Sequence, residues 1–264
     1  MLIQQLKINN KLSKRVVLII QARMGSTRLP GKSLMDLAGA PLVGRILERV
    51  KRCTHLDDIV LAIPDTKKDF VLKQLGESYG VKVFIGSESD LVERYYLAAI
   101  WSNADIVGRL PADNATPEPS EIDRIVDYHL SLGRRGFTSN LSVIGDSDYP
   151  DGIGAEMFDF SLLAEARDRH SDPRLREHVH LNFYDYSTGH AVDDQWCPIS
   201  TIKCPPEFRR PDLVLDVNTQ EQYEFMRQLY EYLYPRNNNF HITDVIRWYD
   251  EVYLQEKFVN CSQT

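Results

Sequence analysis

The sequence predicts an α/β fold built on a mainly parallel sheet with helices on both faces. Three observations carry this. Val16–Gln21 is a continuous apolar run, β-branched at four of its first five positions, as a strand buried on both faces should be. Strand-like and helix-like segments then alternate from residue 16 to residue 132, which implies right-handed βαβ crossovers between parallel strands. A chain of 264 residues with 43% hydrophobic content also supplies the core of one sizeable domain.

The elements follow in order. After the first strand, Ala22 to Gly39 is too rich in breakers for regular structure, and Pro41 starts an apolar-periodic helix through Leu42, Ile46, Leu47 and Val50. Asp58–Ile63 reads as a strand, Lys67–Tyr79 as a helix, Val81–Ile85 as a strand and Asp90–Trp101 as a helix. Asp105–Leu110 is the next strand and Glu118–Leu132 the next helix. Ligands on such sheets sit at the carboxyl ends of strands, which gathers Gln21–Lys32, Gly86–Arg94 and Leu110–Thr116 around one crevice. From residue 136 the rhythm changes. A polar helix-like stretch Ser161–His170, short strands near Ile199–Lys203 and Val214–Val217, and helices from Thr219 and His241 complete the chain. The aromatic-rich end, with Tyr223, Phe225, Tyr230, Trp248 and Tyr253, reads as helix packing.

Composition excludes several classes. The net charge of −7 argues against a nucleic-acid binder. No apolar run reaches the length of a membrane span and no secretory signal precedes the first strand, so the expectation is a cytoplasmic protein without a membrane partner. Cys53, Cys197, Cys204 and Cys261 form no C-x-x-C pair and are expected to be reduced. The charge is unevenly spread: Lys7, Lys11, Lys14, Arg15, Arg23, Arg28 and Lys32 precede the first acid, Asp36. Such a positive start on an acidic chain suggests a small anionic ligand. A solvated basic tail also explains Lys7 to Arg15, and it explains Arg23, Arg28 and Lys32 less well because they are set among glycines and a proline.

Gln21-Ala-Arg-Met-Gly-Ser-Thr-Arg-Leu-Pro-Gly-Lys-Ser33 invites a P-loop reading, which fails by one residue. The required first glycine is Ser26, Gly25 lies one position too early, and Pro30 removes a backbone N–H. The same physics survives in another frame: a Gly/Ser/Thr-rich loop wraps phosphates while Arg23, Arg28 and Lys32 neutralise them. This segment resembles the Q-A-R-x-x-S-T-R-L-P-G-K signature of the cytidylyltransferases that activate acidic sugars, including the spore-coat polysaccharide type. The resemblance runs from about Val16 to Asp250 and implies a Rossmann-like nucleotidyltransferase fold with a smaller acceptor-side or dimerisation subregion. On that reading residues 1–14 are an N-terminal extension and 15–264 one domain, with a nucleotide-binding half to about 135 and an acceptor-side half from 136.

The resemblance also implies roles. Gln21, Ala22, Arg23, Gly25, Ser26, Thr27, Arg28 and Lys32 would hold the nucleotide, joined by Asp90 and Arg94 from a segment similar to G-S-x-x-D-V-L-x-R-Y, and by Arg109. An i,i+4 ion pair on a helix is the rival explanation for Asp90 and Arg94. Asp113, within a segment similar to R-x-x-A-D-C-P, would bind the catalytic Mg²⁺, although Asn114-Ala115 replaces Cys-Pro. The second metal carboxylate would be Asp216, with Asn218 standing where the family has an aspartate; capping of the following helix could account for Asp216 and Thr219 as well. On the acceptor side, Asp151 and Glu156 belong to a stretch resembling Y-P-D-G-x-D-V-E, with Gly154 in place of an aspartate. Arg176 and His178 belong to one resembling R-E-H-V. Arg109, Arg174, Arg176 and His178 are the candidates for holding the acceptor's acidic group. A zinc site at His178 and His180 lacks a third ligand.

The implied activity is Mg²⁺-dependent transfer of CMP from CTP to an acidic acceptor, a sugar acid, phosphate or phosphonate, by a homodimer, with Arg23, Arg28, Lys32 and Asp113 as catalytic residues. Two rivals remain at this stage. A nucleotide-binding regulator would explain the departures on the metal side. A glycosyltransferase would need an Asp-x-Asp motif, for which only Asp146-Ser147-Asp148 has the spacing.

Overall fold

The computed structural model describes residues 14–255 except 141–143 and 145–146. The first thirteen residues of the expected extension, Cys261 and Asp146 of the Asp-x-Asp candidate lie outside them. Among the described residues one seven-stranded sheet carries the fold. Its strands are β1 (Val16–Gln21), β4 (Asp58–Pro64), β5 (Lys82–Gly86), β6 (Ile106–Pro111), β7 (Phe137–Ser139), β8 (Glu156–Asp159) and β9 (Ile199–Thr201). In space the order is β5-β4-β1-β6-β8-β7-β9. Parallel pairing joins β5, β4, β1 and β6, whereas β8 runs antiparallel to both β6 and β7, and β9 is parallel to β7.

The interior strand β1 is almost wholly protected, with Val16 to Ile20 at most 1% exposed. Its side chains alternate between two cores, as the two-residue strand period requires. Val16, Leu18 and Ile20 face α1 (Leu42–Val50), α4 (Pro119–Ser131), α7 (Gln220–Leu233) and α8 (Ile242–Trp248). Val17 and Ile19 face α3 (Leu91–Ser102) and α5 (Phe160–Arg169), where Phe158, Phe183 and Trp196 gather. The aromatic C-terminal helices behave as expected: Phe225 packs on Trp248 and Tyr253, and buried Tyr230 donates to Ala115 O at 2.6 Å.

The sequence reading holds through residue 135, with element ends shifted by a residue or two. Three differences are informative. The stretch Ala22–Gly39 is not wholly irregular: Lys32–Leu34 is a 3₁₀ turn, and the strand β2 (Asp36–Leu37) pairs with β3 (Ala40–Pro41). Lys67–Tyr79 divides into a 3₁₀ turn, Lys67–Asp69, and the helix α2 (Phe70–Ser78). Val214–Val217 forms isolated bridges in place of a strand, pairing Val214 with Asp151 and Asp216 with Asn114. The short strand β7 escaped the sequence reading because three residues cannot display a period.

Asp159, at the end of β8, ties β7 and β8 to the rest. It accepts from Gly136 N at 3.0 Å and from Lys14 Nζ at 2.6 Å, and His129 Nε2 lies 3.5 Å away. Burial alone would raise its carboxyl, but these partners outweigh burial and hold it down at about 2. Because the folded-state value lies below the ordinary 3.8, its stabilisation is present above that value and is lost as pH falls towards 2. Asp159→Asn should therefore cost about 1.5–3 kcal/mol at neutral pH, the usual value of hydrogen bonds to a charged group. Urea unfolding should show the gap between variant and parent narrowing as the pH is lowered.

Candidate active site

The carboxyl ends of β1 and β6 open into a cleft of about 340 Å³. Its floor is fixed by backbone bonds: Ala112 N donates to Gln21 O at 2.9 Å and Ala22 N to Ala62 O at 3.3 Å. The loop leaving β1 is pinned twice more. Buried Asp69 accepts from Met24 N at 2.6 Å, and Ser33 Oγ donates to Arg23 O at 3.0 Å. Gly31 adopts φ +74°, a left-handed conformation that a side chain would strain, and Gly31 N closes the loop onto Met24 O. In place of the long helix that follows a P-loop lysine, the three-residue turn Lys32–Leu34 follows here and α1 starts only at Leu42.

Lys32 joins three segments. Its Nζ lies 2.9 Å from Asp113 Oδ2, 2.8 Å from Val217 O and 3.0 Å from Asn218 Oδ1. Arg28 Nη2 reaches the same Asn218 oxygen at 2.7 Å. Asn218 in turn donates through Nδ2 to Asp216, and Gln222 Nε2 donates to the other Asp216 oxygen at 3.2 Å. The turn carrying Asp216 is stitched to the Asp113 turn, with Val217 N donating to Asp113 O at 2.9 Å, and to the Asp151 segment, with Leu215 N donating to Asp151 O at 3.1 Å. Three carboxylates thus face one another. Burial first, then the charges of Asp151 and Asp113, push the Asp216 carboxyl up to about 6. Burial, against the hydrogen bond from the Gly152 backbone and with the Asp113 charge, raises Asp151 as well. Thr219 also caps α7 in a reciprocal capping box with Gln222.

Of the residues singled out from sequence, Gln21, Ala22, Arg23, Ser26, Thr27, Arg28, Lys32, Arg94, Arg109, Asp113, Asp151, Glu156, His178, Asp216 and Asn218 line this cleft. Gly25, Asp90, Arg174 and Arg176 do not. The rival explanation, an ion pair between Asp90 and Arg94, does not hold, because both side chains make other bonds. Asp90 caps α3 through Glu93 N and pairs with Arg176, while Arg94 donates to Ser87 O and keeps a buried, unpartnered Nε. Asp148 of the Asp-x-Asp candidate is exposed and outside the lining. Residues that the sequence reading missed include Ser139 and Asn140, at the end of a strand too short to show a period, and Tyr184 and Tyr186, in an irregular stretch.

Across β6, β8 and β7 the cleft holds a row of charged and polar groups, in which Arg109 faces Glu156 and Glu156 faces Ser139. Arg109 Nη1 and Glu156 Oε2 are 2.8 Å apart and nearly inaccessible. Burial works against the Arg109 charge, but Glu156 outweighs it and raises the guanidinium above its usual value. Burial, reinforced by the Arg109 charge, drives His180 down to about 2, so this imidazole is neutral at physiological pH. No group of three His, Cys, Asp or Glu side chains among the described residues is arranged to hold a metal alone, the His178/His180 pair included. Cys53, Cys197 and Cys204 are free thiols, and burial pushes them up to about 12, 12 and 11.

A family of cytidylyltransferases matches residues 17–232, which covers the loop after β1, the turns carrying Asp113 and Asp216, and strands β7 to β9. The chain belongs to the cytidylyltransferase family. This cytidylyltransferase is 29% identical over 215–221 residues to curated relatives, among them the spore coat polysaccharide biosynthesis protein SpsF of Bacillus subtilis, with 82% of this chain and 86% of that one covered. A solved cytidylyltransferase from Leptospira borgpetersenii superposes with a TM-score of 0.78 at 29% identity, over 89% of this chain and 93% of that one. A CMP-2-keto-3-deoxy-manno-octonic acid synthetase complexed with CTP shares the fold at 17% identity, with a TM-score of 0.61 over 81% of this chain and 98% of that one. The expected enzyme class therefore stands: the chain is a CTP-dependent nucleotidyltransferase, which sets aside the regulator and glycosyltransferase readings.

The buried Arg109–Glu156 pair makes a stability prediction for this cytidylyltransferase. Removing one partner strands a charge, so Glu156→Gln or Arg109→Met alone should cost about 3–5 kcal/mol. The double variant should cost clearly less than the sum of the two, as a double-mutant cycle in denaturant would measure.

Proposed function

We propose that this enzyme transfers CMP from CTP to an acidic small-molecule acceptor, a sugar acid, phosphate or phosphonate, with release of pyrophosphate and with Mg²⁺ as cofactor. The observation that carries the reading is the Lys32 ammonium set between Asp113 and Asn218, where the triphosphate loop meets the strand-end carboxylates. On this reading Gln21, Ala22, Ser26 and Thr27 wrap the nucleotide. Arg23, Arg28 and Lys32 neutralise the β- and γ-phosphates and the departing pyrophosphate. An acceptor oxygen attacks the α-phosphorus in line, the bond to the β-phosphate oxygen breaks, and no side-chain nucleophile is used. A phosphate or phosphonate acceptor is already an anion and needs positioning and charge compensation alone.

The donor set fits magnesium: Asp113 and Asp216 are hard oxygen ligands on separate turns, and crowding beside Asp151 raises the Asp216 carboxyl in a way that a divalent cation would relieve. When bound, the ion supplies Lewis-acid stabilisation of charge at the α-phosphate. Asn218 already accepts from Arg28 and Lys32, which favours Asp216 as the second ligand.

Two experiments test this reading. Pyrophosphate release should be measured with each of the four nucleoside triphosphates and Mg²⁺ against acidic sugars, phosphate esters and phosphonates. CTP alone should support turnover, and Lys32→Ala or Asp113→Ala should each slow it by about 10²–10³-fold, typical for loss of one group acting on transition-state charge; turnover that survives both changes would sink the assignment. Metal binding should also depend on pH, since Asp216 must be ionised to act as a ligand and titrates near 6. Without metal this raised carboxyl opposes folding as pH rises through that value. The gain in Tm from MgCl₂ with CTP should therefore be larger above about pH 7 than below about pH 5, and Asp216→Asn should abolish the difference.

A further inference from the structure

The acceptor end of the cleft presents an imbalance between the charges it holds and the ligand it would take. Among the groups lining it there, Arg109 is paired with Glu156 and His180 is neutral. An acidic group entering here therefore meets donors other than free cations. One such donor stands out. Asn140, the residue after β7, is 3% exposed and lines the cleft, yet its Nδ2 is buried without a hydrogen-bond partner. Leaving an amide donor buried and unpaired is costly, so its retention at a ligand site points to a partner supplied by the ligand.

Gly154 explains how this amide is housed. A Cβ built on Gly154 would coincide with the Asn140 carboxamide, meeting its Oδ1, Cγ and Nδ2. The pair therefore works as a unit: absence of a side chain before β8 creates the space, and the side chain after β7 fills it. The two segments are held in register by the Ser139–Glu156 pairing. The unit places a neutral N–H donor within a wall otherwise rich in acid, with Asp151 and Glu156 lining the same cleft. Arg109 Nε, also buried and unpartnered, lines that cleft as well.

We propose that Asn140, housed by Gly154, determines acceptor specificity by donating its Nδ2–H to an anionic oxygen of the acceptor, a carboxylate or phosphoryl oxygen. This rests on the reading of the cleft as a CMP-transferring site, and it names the group by which the acceptor is recognised. A carboxylate at this position would repel such an oxygen, whereas the amide donates to it, and more strongly to an anionic oxygen than to a neutral hydroxyl.

The test uses the whole protein and two readouts. Steady-state kinetics with the acceptor panel should show Asn140→Asp, which keeps shape but removes the donor, raising the acceptor KM roughly tenfold or more while the KM for CTP stays within about twofold. Gly154→Ala should give the same split by displacing the amide, and Asn140→Ala/Gly154→Ala, in which the added methyl has room, controls for folding without restoring acceptor binding. Independently of turnover, the Asn140 side-chain ¹H–¹⁵N signal of the CMP-bound protein, assigned by its loss in Asn140→Asp, is followed during titration with methylphosphonate, acetate or glycerol. A saturable shift with an anion and none with glycerol supports the proposal, and the anion that saturates first names the acceptor's acid. An unshifted signal with both anions, or an acceptor KM unchanged in Asn140→Asp, overturns it. Failure of the parent protein to release pyrophosphate with any acceptor would instead overturn the transfer reading, whatever the amide signal does.

Discussion

The cleft depends on one constraint, the double-sided pairing of β1. Hydrogen-bonded to β4 on one edge and β6 on the other, with both faces buried, this strand cannot shift without breaking two ladders and two cores. The loop that follows inherits that rigidity. Gln21 receives Ala112 N, Asp69 fixes Met24, and Lys32 spans to the turns at Asp113 and Val217. Cations on a Gly/Ser/Thr-rich loop would otherwise be floppy; here each anchor limits their search before any phosphate arrives.

The same arrangement balances charge within the protein. Lys32 rests on Asp113, Arg28 on Asn218 and Arg23 loosely on Glu177. On the proposed reading, ligand binding would exchange these partners: phosphate oxygens would replace protein oxygens around the cations, and Asp113, released from Lys32, would be free to meet a metal. Asp216 would gain from that metal because it sits beside two other carboxylates in a half-buried turn.

Much of this was legible in the sequence, for identifiable reasons. The strands and helices from Val16 to Ser131 announce themselves because parallel strands covered on both faces must be continuously apolar, and their helices amphipathic. The triphosphate loop was readable because its chemistry is local: all its cations lie within ten residues. The acceptor side was not, because its meaning is long-range. Arg176 looked available for an acid until Asp90, 86 positions away, was found to hold it. The departure at Gly154 was visible in the sequence, but its counterpart Asn140 could only be recognised once β7 and β8 were laid side by side.

Strand β8 has a consequence of its own. It is antiparallel to β6, so its first residues, not its last, lie at the carboxyl ends of the parallel strands. Strands β7 and β9 lie beyond it at the edge of the sheet, and Asp159 adds contacts to Lys14 and His129 outside that ladder. Glu156 therefore reaches the cleft from the start of its strand, whereas Gln21, Asp113 and Asn140 reach it from the ends of theirs or just beyond.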